Sequence, residues 1–165
     1  MSKASRAGGA TVNIELPLAA EGQAIVEEEV VVAEKQPRRL KATRHILIID
    51  DEPAICDILT RALSEEGYIT DSVSNARAAL EKIAENSYEL CIIDLKMPQM
   101  SGKELYEIMK RRFPSLAERV LFITGDTITP ATENFLTSTG KPYLFKPFNS
   151  NQLVELVEET LGSGQ

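Results

Sequence analysis

The sequence contains no tryptophan, one histidine and two cysteines among its 165 residues. Two cysteines, Cys56 and Cys91, are too few for a disulfide framework, so we expect both to be reduced and buried in the core. No stretch approaches the roughly 18 consecutive apolar residues that a membrane-spanning helix needs. The N-terminus also lacks the continuous apolar segment of a signal peptide. These absences predict a cytoplasmic chain that makes no contact with a membrane.

Basic residues are also scarce, with 18 Lys and Arg against 25 Asp and Glu and a net charge of −7. The excess acid is unevenly placed. Residues 1–44 hold seven Lys and Arg against six Glu, so they carry +1 and residues 45–165 carry −8. A chain of this charge does not present the basic surface that nucleic acids bind, so we expect no nucleic-acid partner.

Residues 1–44 lack sustained hydrophobic periodicity. Within residues 1–17, Val12, Ile14 and Leu16 alternate with polar residues, which predicts a single half-buried strand. Residues 18–44 are predicted to be a charged linker. The folded domain is therefore expected to comprise residues 45–165.

From residue 45, strand patterns alternate with helix patterns. Apolar runs predict five strands, at residues 45–50, 68–73, 89–94, 119–124 and 142–146. Apolar residues at helical spacing predict five helices, at residues 53–67, 75–87, 102–113, 129–140 and 149–162. Continuous apolar strands between amphipathic helices predict a doubly wound α/β domain with a five-stranded parallel sheet. Gly102 is expected to permit the backbone turn after the third strand.

Polar residues stand where four of these strands end, and we expect them to share one site. They are Asp50 and Asp51, Asp94, Thr124 and Lys146. Such sheets carry their site beyond the carboxyl ends of the strands. Three crowded carboxylates repel one another, and Mg²⁺ relieves the repulsion while leaving one carboxylate able to form an aspartyl-phosphate. A lysine and a threonine suit the phosphoryl oxygens.

Four motifs resemble the receiver domain of two-component signalling, and the resemblance covers residues 45–162. They are "IIDDEP", "IIDLKMPQMSG", "FITGD" and "YLFKPF", at the first, third, fourth and fifth predicted strands. The resemblance implies the flavodoxin-like (βα)5 receiver fold. It also implies that Asp94 is the phosphoacceptor and that Asp50, Asp51 and Asp94 hold Mg²⁺, with the main-chain carbonyl of Lys96 as a further ligand.

The same resemblance implies a switch. Thr124 and Lys146 would contact the phosphoryl group, and Tyr143 would rotate inward when Thr124 moves. It suggests a cis peptide bond between Lys146 and Pro147. It also suggests that Lys96 and Asp126 tune the lifetime of the phosphoryl group, the alternative being that both are solvated loop charges.

The N-terminal segment "GGATVNIELPLA" resembles the last strand of the ATP-binding domain of histidine kinases. This predicts that the chain is the C-terminal receiver of a hybrid histidine kinase, without the ATP site. The alternative is a stand-alone single-domain response regulator with a disordered leader. His45 is expected to be structural, so phosphate would come from a histidine kinase core or a histidine-phosphotransfer domain. With no output domain expected after the last helix, the signal would pass to such a partner, or to a homodimer through the fourth helix, fifth strand and fifth helix.

Three other functions remain open at this point. A phosphatase that forms an aspartyl-phosphate needs similar residues, but such enzymes usually carry an Asp-x-Asp motif at the first strand. A flavin-binding module would need a phosphate-cradling loop where this sequence has acids. The acidic pocket could also be a docking module that works without phosphorylation.

Overall fold

The computed structural model describes residues 43–125 and 128–162. In these ranges, the strands are β1 His45–Ile49, β2 Ile69–Val73, β3 Leu90–Asp94, β4 Val120–Thr124 and β5 Tyr143–Phe145. The helices are α1 Pro53–Glu65, α2 Ala76–Glu85, α3 Gly102–Arg112, α4 Pro114–Ala117, α5 Pro130–Thr139 and α6 Ser150–Gly162. None of these described helices is long and apolar enough to cross a membrane. The strand predicted in residues 1–17 and nearly all of the predicted linker lie outside the described residues.

Helix ends follow the local signals in the sequence. The side chains of Asn75 and Thr129 accept hydrogen bonds from the backbone amides of Ala78 and Thr132, at 2.8 Å and 3.1 Å. Each bond satisfies an amide that the first helical turn leaves without an intrahelical partner. Gly140 ends α5 in the left-handed conformation, with φ 65°. These caps fix where α2 and α5 begin and where α5 ends.

One helix was not predicted. The helix that ends before Pro114 is confirmed, but Pro114 itself begins the four-residue helix α4. Proline is tolerated at the first helical position, because the amide it lacks would be unpaired there. Leu116 and Ala117 bury this turn against the core. The fourth and fifth predicted helices are therefore α5 and α6.

All five strands are parallel, in the order β2-β1-β3-β4-β5, which confirms the predicted sheet. Successive residues of β1 face opposite sides. Ile46 and Ile48 pack with Cys56 on one face of the sheet, whereas Leu47 packs with Cys91 on the other. Both cysteines are buried, as predicted. The chain leaves β1 towards β2 and returns on the other side at β3, so the topological switch point lies between β1 and β3.

Gly102 begins α3 directly beside the end of β3. A Cβ atom at this position would lie 2.4 Å from the carbonyl oxygen of Asp94 and 2.9 Å from Cα of Leu95. The amide of Gly102 also donates to the carbonyl of Leu95 at 3.0 Å. The positive φ in this loop belongs to Gln99, at 70°, so Gly102 is needed at the turn because it has no side chain.

We expect Gly102→Ala to lower the free energy of unfolding by about 1 to 3 kcal/mol, because the new methyl group forces the backbone of Asp94 to move. Urea unfolding followed by circular dichroism measures this. Gly162→Ala is the matched control, since a Cβ there meets no atom within 4 Å. Equal stability of the two variants would contradict the close approach of α3 to β3.

Candidate functional site

The carboxyl ends of β1 and β3 bring three acidic residues together. Asp50 follows β1 and Asp94 ends β3, and the two strands are neighbours, with Ile49 opposite Ile93. Asp50 is 2% exposed and Asp94 3% exposed. One carboxylate oxygen from each of Asp50, Asp51 and Asp94 lies within 4.8 Å of the others. The structure therefore places these three predicted residues in one cluster.

Backbone hydrogen bonds orient the two buried carboxylates. Oδ1 of Asp50 accepts from the amide of Glu52 at 2.9 Å, and Oδ1 of Asp94 accepts from the amide of Lys96 at 3.1 Å. Each side chain is thus tied to the loop that follows it and keeps Oδ2 for other contacts. Oδ2 of Asp50 is buried and accepts no hydrogen bond from the described residues. A buried oxygen of this kind is costly unless a positive charge lies near it.

Lys146 supplies that positive charge. Its Nζ lies 2.7 Å from Oε1 of Glu52, 3.1 Å from Oδ2 of Asp50 and 3.4 Å from Oδ2 of Asp94. The backbone amide of Lys146 donates to the carbonyl of Thr124 at 2.9 Å, which anchors the residue at the end of β4. The Lys146–Pro147 peptide bond is cis, as predicted.

Burial and charge act in opposite directions on these groups. Burial, aided by the charge of Asp50, raises the pKa of Asp94 from 3.8 to about 6, although the amide of Lys96 and the charge of Lys146 oppose the rise. Burial also opposes the charge on Lys146, but its close contacts with the carboxylates of Glu52 and Asp50 and the charge of Asp94 outweigh this and raise the pKa of Lys146. The site therefore favours the protonated form of Lys146 and disfavours the ionised form of Asp94.

Glu52 is the contact that the sequence did not reveal. Its place in the "IIDDEP" motif did not indicate a contact with Lys146, yet it makes the shortest of the three ion pairs of Lys146. Glu52 is 60% exposed at its side chain, so it forms the outer wall of the site. No sequence signal could have found this pair, because the two residues are 94 positions apart.

The predicted switch residues lie along β4 and β5. Thr124 is 3% exposed at the end of β4, close to Lys146 through the backbone hydrogen bond described above. Tyr143 begins β5 and is 41% exposed. Its ring packs edge-on against Phe145, with the ring centroids 5.3 Å apart. Tyr143 therefore points outward in this structure.

The two predicted tuning residues have different outcomes. Lys96 lies in the loop after β3, and its backbone amide binds Asp94; the roles of its carbonyl and side chain remain predictions. Asp126 lies outside the described residues.

His45 begins β1, at the end of the strand opposite to the acidic cluster, and its ring packs against Tyr88 with centroids 5.6 Å apart. This position agrees with a structural role.

The acidic cluster fits a hard divalent cation. Carboxylate oxygens are the ligands that Mg²⁺ and Ca²⁺ prefer. Oδ2 of Asp50 is buried and accepts no hydrogen bond from the described residues, and burial together with the charge of Asp50 raises the pKa of Asp94, so a cation at this place would stabilise both charges. The three carboxylates of Asp50, Asp51 and Asp94 are the described residues that could hold such an ion.

We expect Asp94→Asn to raise the free energy of unfolding by on the order of 1 to 2 kcal/mol at pH 7.5 in EDTA. The pKa of Asp94 is higher in the folded than in the unfolded state, so its carboxyl group costs stability as the pH rises from about 4 to 6. The gain of the variant should accordingly disappear below pH 4. Urea unfolding across this range measures it, with Glu155→Gln on the surface of α6 as the charge control. A variant no more stable than the wild type at pH 7.5 would contradict the account.

Comparison with known proteins agrees with the geometry. Residues 46–158 match the family model described as the response regulator receiver domain. The nitrogen assimilation regulatory protein NtrX of Azorhizobium caulinodans is 32% identical over 118 residues, which cover 70% of this chain and 26% of that protein. The transcriptional regulatory protein TcrA of Mycobacterium tuberculosis is 31% identical over 66% of this chain and 42% of its own length. The chain thus spans less than half of the length of these curated relatives.

Solved structures give the same result. A CheY-like receiver domain protein from Methanospirillum hungatei superposes with a TM-score of 0.68 at 31% identity, over 74% of this chain and 97% of its own. The response regulator TrrA of Thermotoga maritima, solved in complex with Mg(2+)-BeF, has a TM-score of 0.63 at 30% identity, over 72% of this chain and 99% of its own. The family match, the fold and the acidic cluster agree, and this chain belongs to the response regulator receiver domain family.

Proposed function

We propose that this chain is a phosphoryl-accepting signalling switch in which Asp94 takes phosphate from a phosphohistidine. One observation carries the proposal: a lysine ammonium lies 3.4 Å from Oδ2 of Asp94, which belongs to a cluster of three carboxylates. An ion pair alone would need one acid, not three. Three acids beside one lysine suit a site that receives both a cation and a phosphoryl group.

Mg²⁺ is the cofactor that we propose. Asp50, Asp51 and Asp94 would hold it, with the main-chain carbonyl of Lys96 as a further ligand. When bound, the cation supplies positive charge that stabilises the phosphoryl group during transfer. The presence of Mg(2+)-BeF in the complex of the Thermotoga relative supports this choice.

The transfer itself is a substitution at phosphorus. A carboxylate oxygen of Asp94 attacks, its bond to phosphorus forms, and the bond between phosphorus and the donor imidazole nitrogen breaks. The imidazole keeps the electron pair. Lys146 and the hydroxyl group of Thr124 bind the phosphoryl oxygens. Water later attacks the same phosphorus, which releases inorganic phosphate and restores Asp94; Lys96 and Asp126 would set the rate of this step.

Signal output would follow from the movement of Thr124. When its hydroxyl group turns to the phosphoryl group, Tyr143 can rotate inward from its present exposed position. On the face formed by α5, β5 and α6, the strand β5 carries two exposed apolar side chains, Tyr143 and Phe145. This face is where we propose that a partner or a second copy of the chain binds.

The phosphate donor would be a histidine kinase core or a histidine-phosphotransfer domain. The resemblance of residues 1–17 to a kinase strand supports a hybrid histidine kinase as the parent protein, and a stand-alone regulator is the second candidate. The absence of a nucleic-acid partner stays a prediction for residues 45–165. One relative, from Proteus hauseri, is named a DNA-binding transcriptional regulator, and this chain matches 24% of its length.

We expect incubation with acetyl phosphate and Mg²⁺ to add one phosphate to the wild-type chain, detected by intact-protein mass spectrometry. The added mass should be absent from Asp94→Asn and from samples with excess EDTA, because both remove a part of the site. Glu155→Gln should be modified like the wild type.

Three results would overturn the proposal. Modification of Asp94→Asn to the same extent would place the phosphate elsewhere. A wild-type chain that binds Mg²⁺ but gains no phosphate, from either acetyl phosphate or a phosphorylated histidine-phosphotransfer domain, would favour a docking module. Repeated release of phosphate from an excess of unrelated phosphomonoester would instead favour a phosphatase.

A further inference from the structure

Lys146 has three carboxylate partners, and they are not equivalent. Asp50 and Asp94 are buried and belong to the acidic cluster, with Asp51 as its third member. Glu52 lies outside that cluster, is 60% exposed, and accepts the shortest contact, at 2.7 Å. A cation held by the cluster would compete with the ammonium group of Lys146 for Asp50 and Asp94. It would leave the pair with Glu52 intact.

We propose that Glu52 is a positioning residue that holds the ammonium group of Lys146 away from Asp50 and Asp94 while the metal is bound. The phosphoryl group would then draw Lys146 from Glu52 onto its own oxygens. This inference rests on the metal site of the proposed function.

Lys146 can make this exchange by moving its side chain alone. Its backbone is fixed by the hydrogen bond to Thr124, at 2.9 Å. Its aliphatic stem crosses Gly125, where a Cβ atom would lie 3.2 Å from Cδ of Lys146. Since Nζ already lies within 3.4 Å of both Glu52 and Asp94, a small rotation of the stem transfers the charge from one to the other.

Glu52 is suited to release its partner. It stands at the N-terminal boundary of α1, where its carbonyl accepts backbone bonds from Ile55 and Cys56 at 3.1 Å and 3.2 Å, so its main chain is fixed. Its carboxylate is largely in water, which hydrates the charge once the lysine has left. Because the carboxylate of Glu52 is largely solvated, the ion pair is weak and its rupture does not block phosphorylation.

The inference predicts how Glu52 affects metal affinity. Without the carboxylate of Glu52, the ammonium group of Lys146 is left with Asp50 and Asp94, and the metal must displace it from both. We expect Glu52→Gln to weaken Mg²⁺ binding about fivefold in isothermal titration calorimetry, a change typical of one lost charge-assisted contact. In a Lys146→Met background the same substitution should change the affinity by less than about twofold, because the competing ammonium group is gone.

Asp57→Asn is the matched control. Asp57 is an exposed carboxylate on α1 that lines the same cleft as Asp50, and it is not among the three ion-pair partners described for Lys146. If Glu52 acted only by attracting the cation through space, Glu52→Gln would weaken binding equally in both lysine backgrounds, and Asp57→Asn would weaken it comparably. That result would overturn the inference and leave the proposed function standing.

Two further outcomes complete the test. Should Lys146→Met not fold by circular dichroism, the comparison of Glu52→Gln with Asp57→Asn decides alone: a loss specific to Glu52 supports the inference, and equal effects overturn it. A wild-type chain that binds no Mg²⁺ would overturn both this inference and the metal site on which it rests.

Discussion

Repulsion among carboxylates at the end of a buried sheet is the constraint on which the rest of this structure depends. Asp50 and Asp94 stand where two neighbouring apolar strands end, and both are almost fully buried. Water cannot screen their charges there, so a positive charge must reach the same place. Lys146 provides it from the end of β5, which lies two strands from β3 and three strands from β1 in the sheet. The parallel topology thus serves the site, because it brings all of these strand ends to one edge.

Much of this arrangement could be predicted from the sequence, since it follows from periodicity. The apolar runs that end in Asp50 and Asp94 required buried parallel strands, and parallel strands align their carboxyl ends. Asn75, Thr129 and Gly140 mark helix ends by local chemistry, so the helix boundaries near these residues could be predicted as well. Sequence reasoning succeeded wherever a residue's role depends on its near neighbours or on the shared edge of the sheet.

The remaining features depend on distances between residues far apart in the chain. Nothing near Glu52 reveals that its carboxylate meets Lys146, and nothing near Gly125 reveals that a lysine stem crosses it. The close approach at Gly102 could not be predicted for the same reason, because the carbonyl of Asp94 comes close only after α3 has packed on β3. Helix α4 is stabilised by burial of Leu116 rather than by length, so periodicity could not detect it.

The most direct test of the central claim is a crystal structure of the wild-type chain with Mg²⁺ and beryllofluoride. The account predicts one cation in contact with Asp50, Asp51 and Asp94, the beryllofluoride group on Asp94, and Nζ of Lys146 on a fluoride rather than on Glu52. Two results would contradict the account: a cation bound elsewhere, or a Lys146 that still pairs with Asp50 beside the bound cation. The account holds that this cluster is a metal site and that the lysine balances the repulsion among its carboxylates only when no metal is bound.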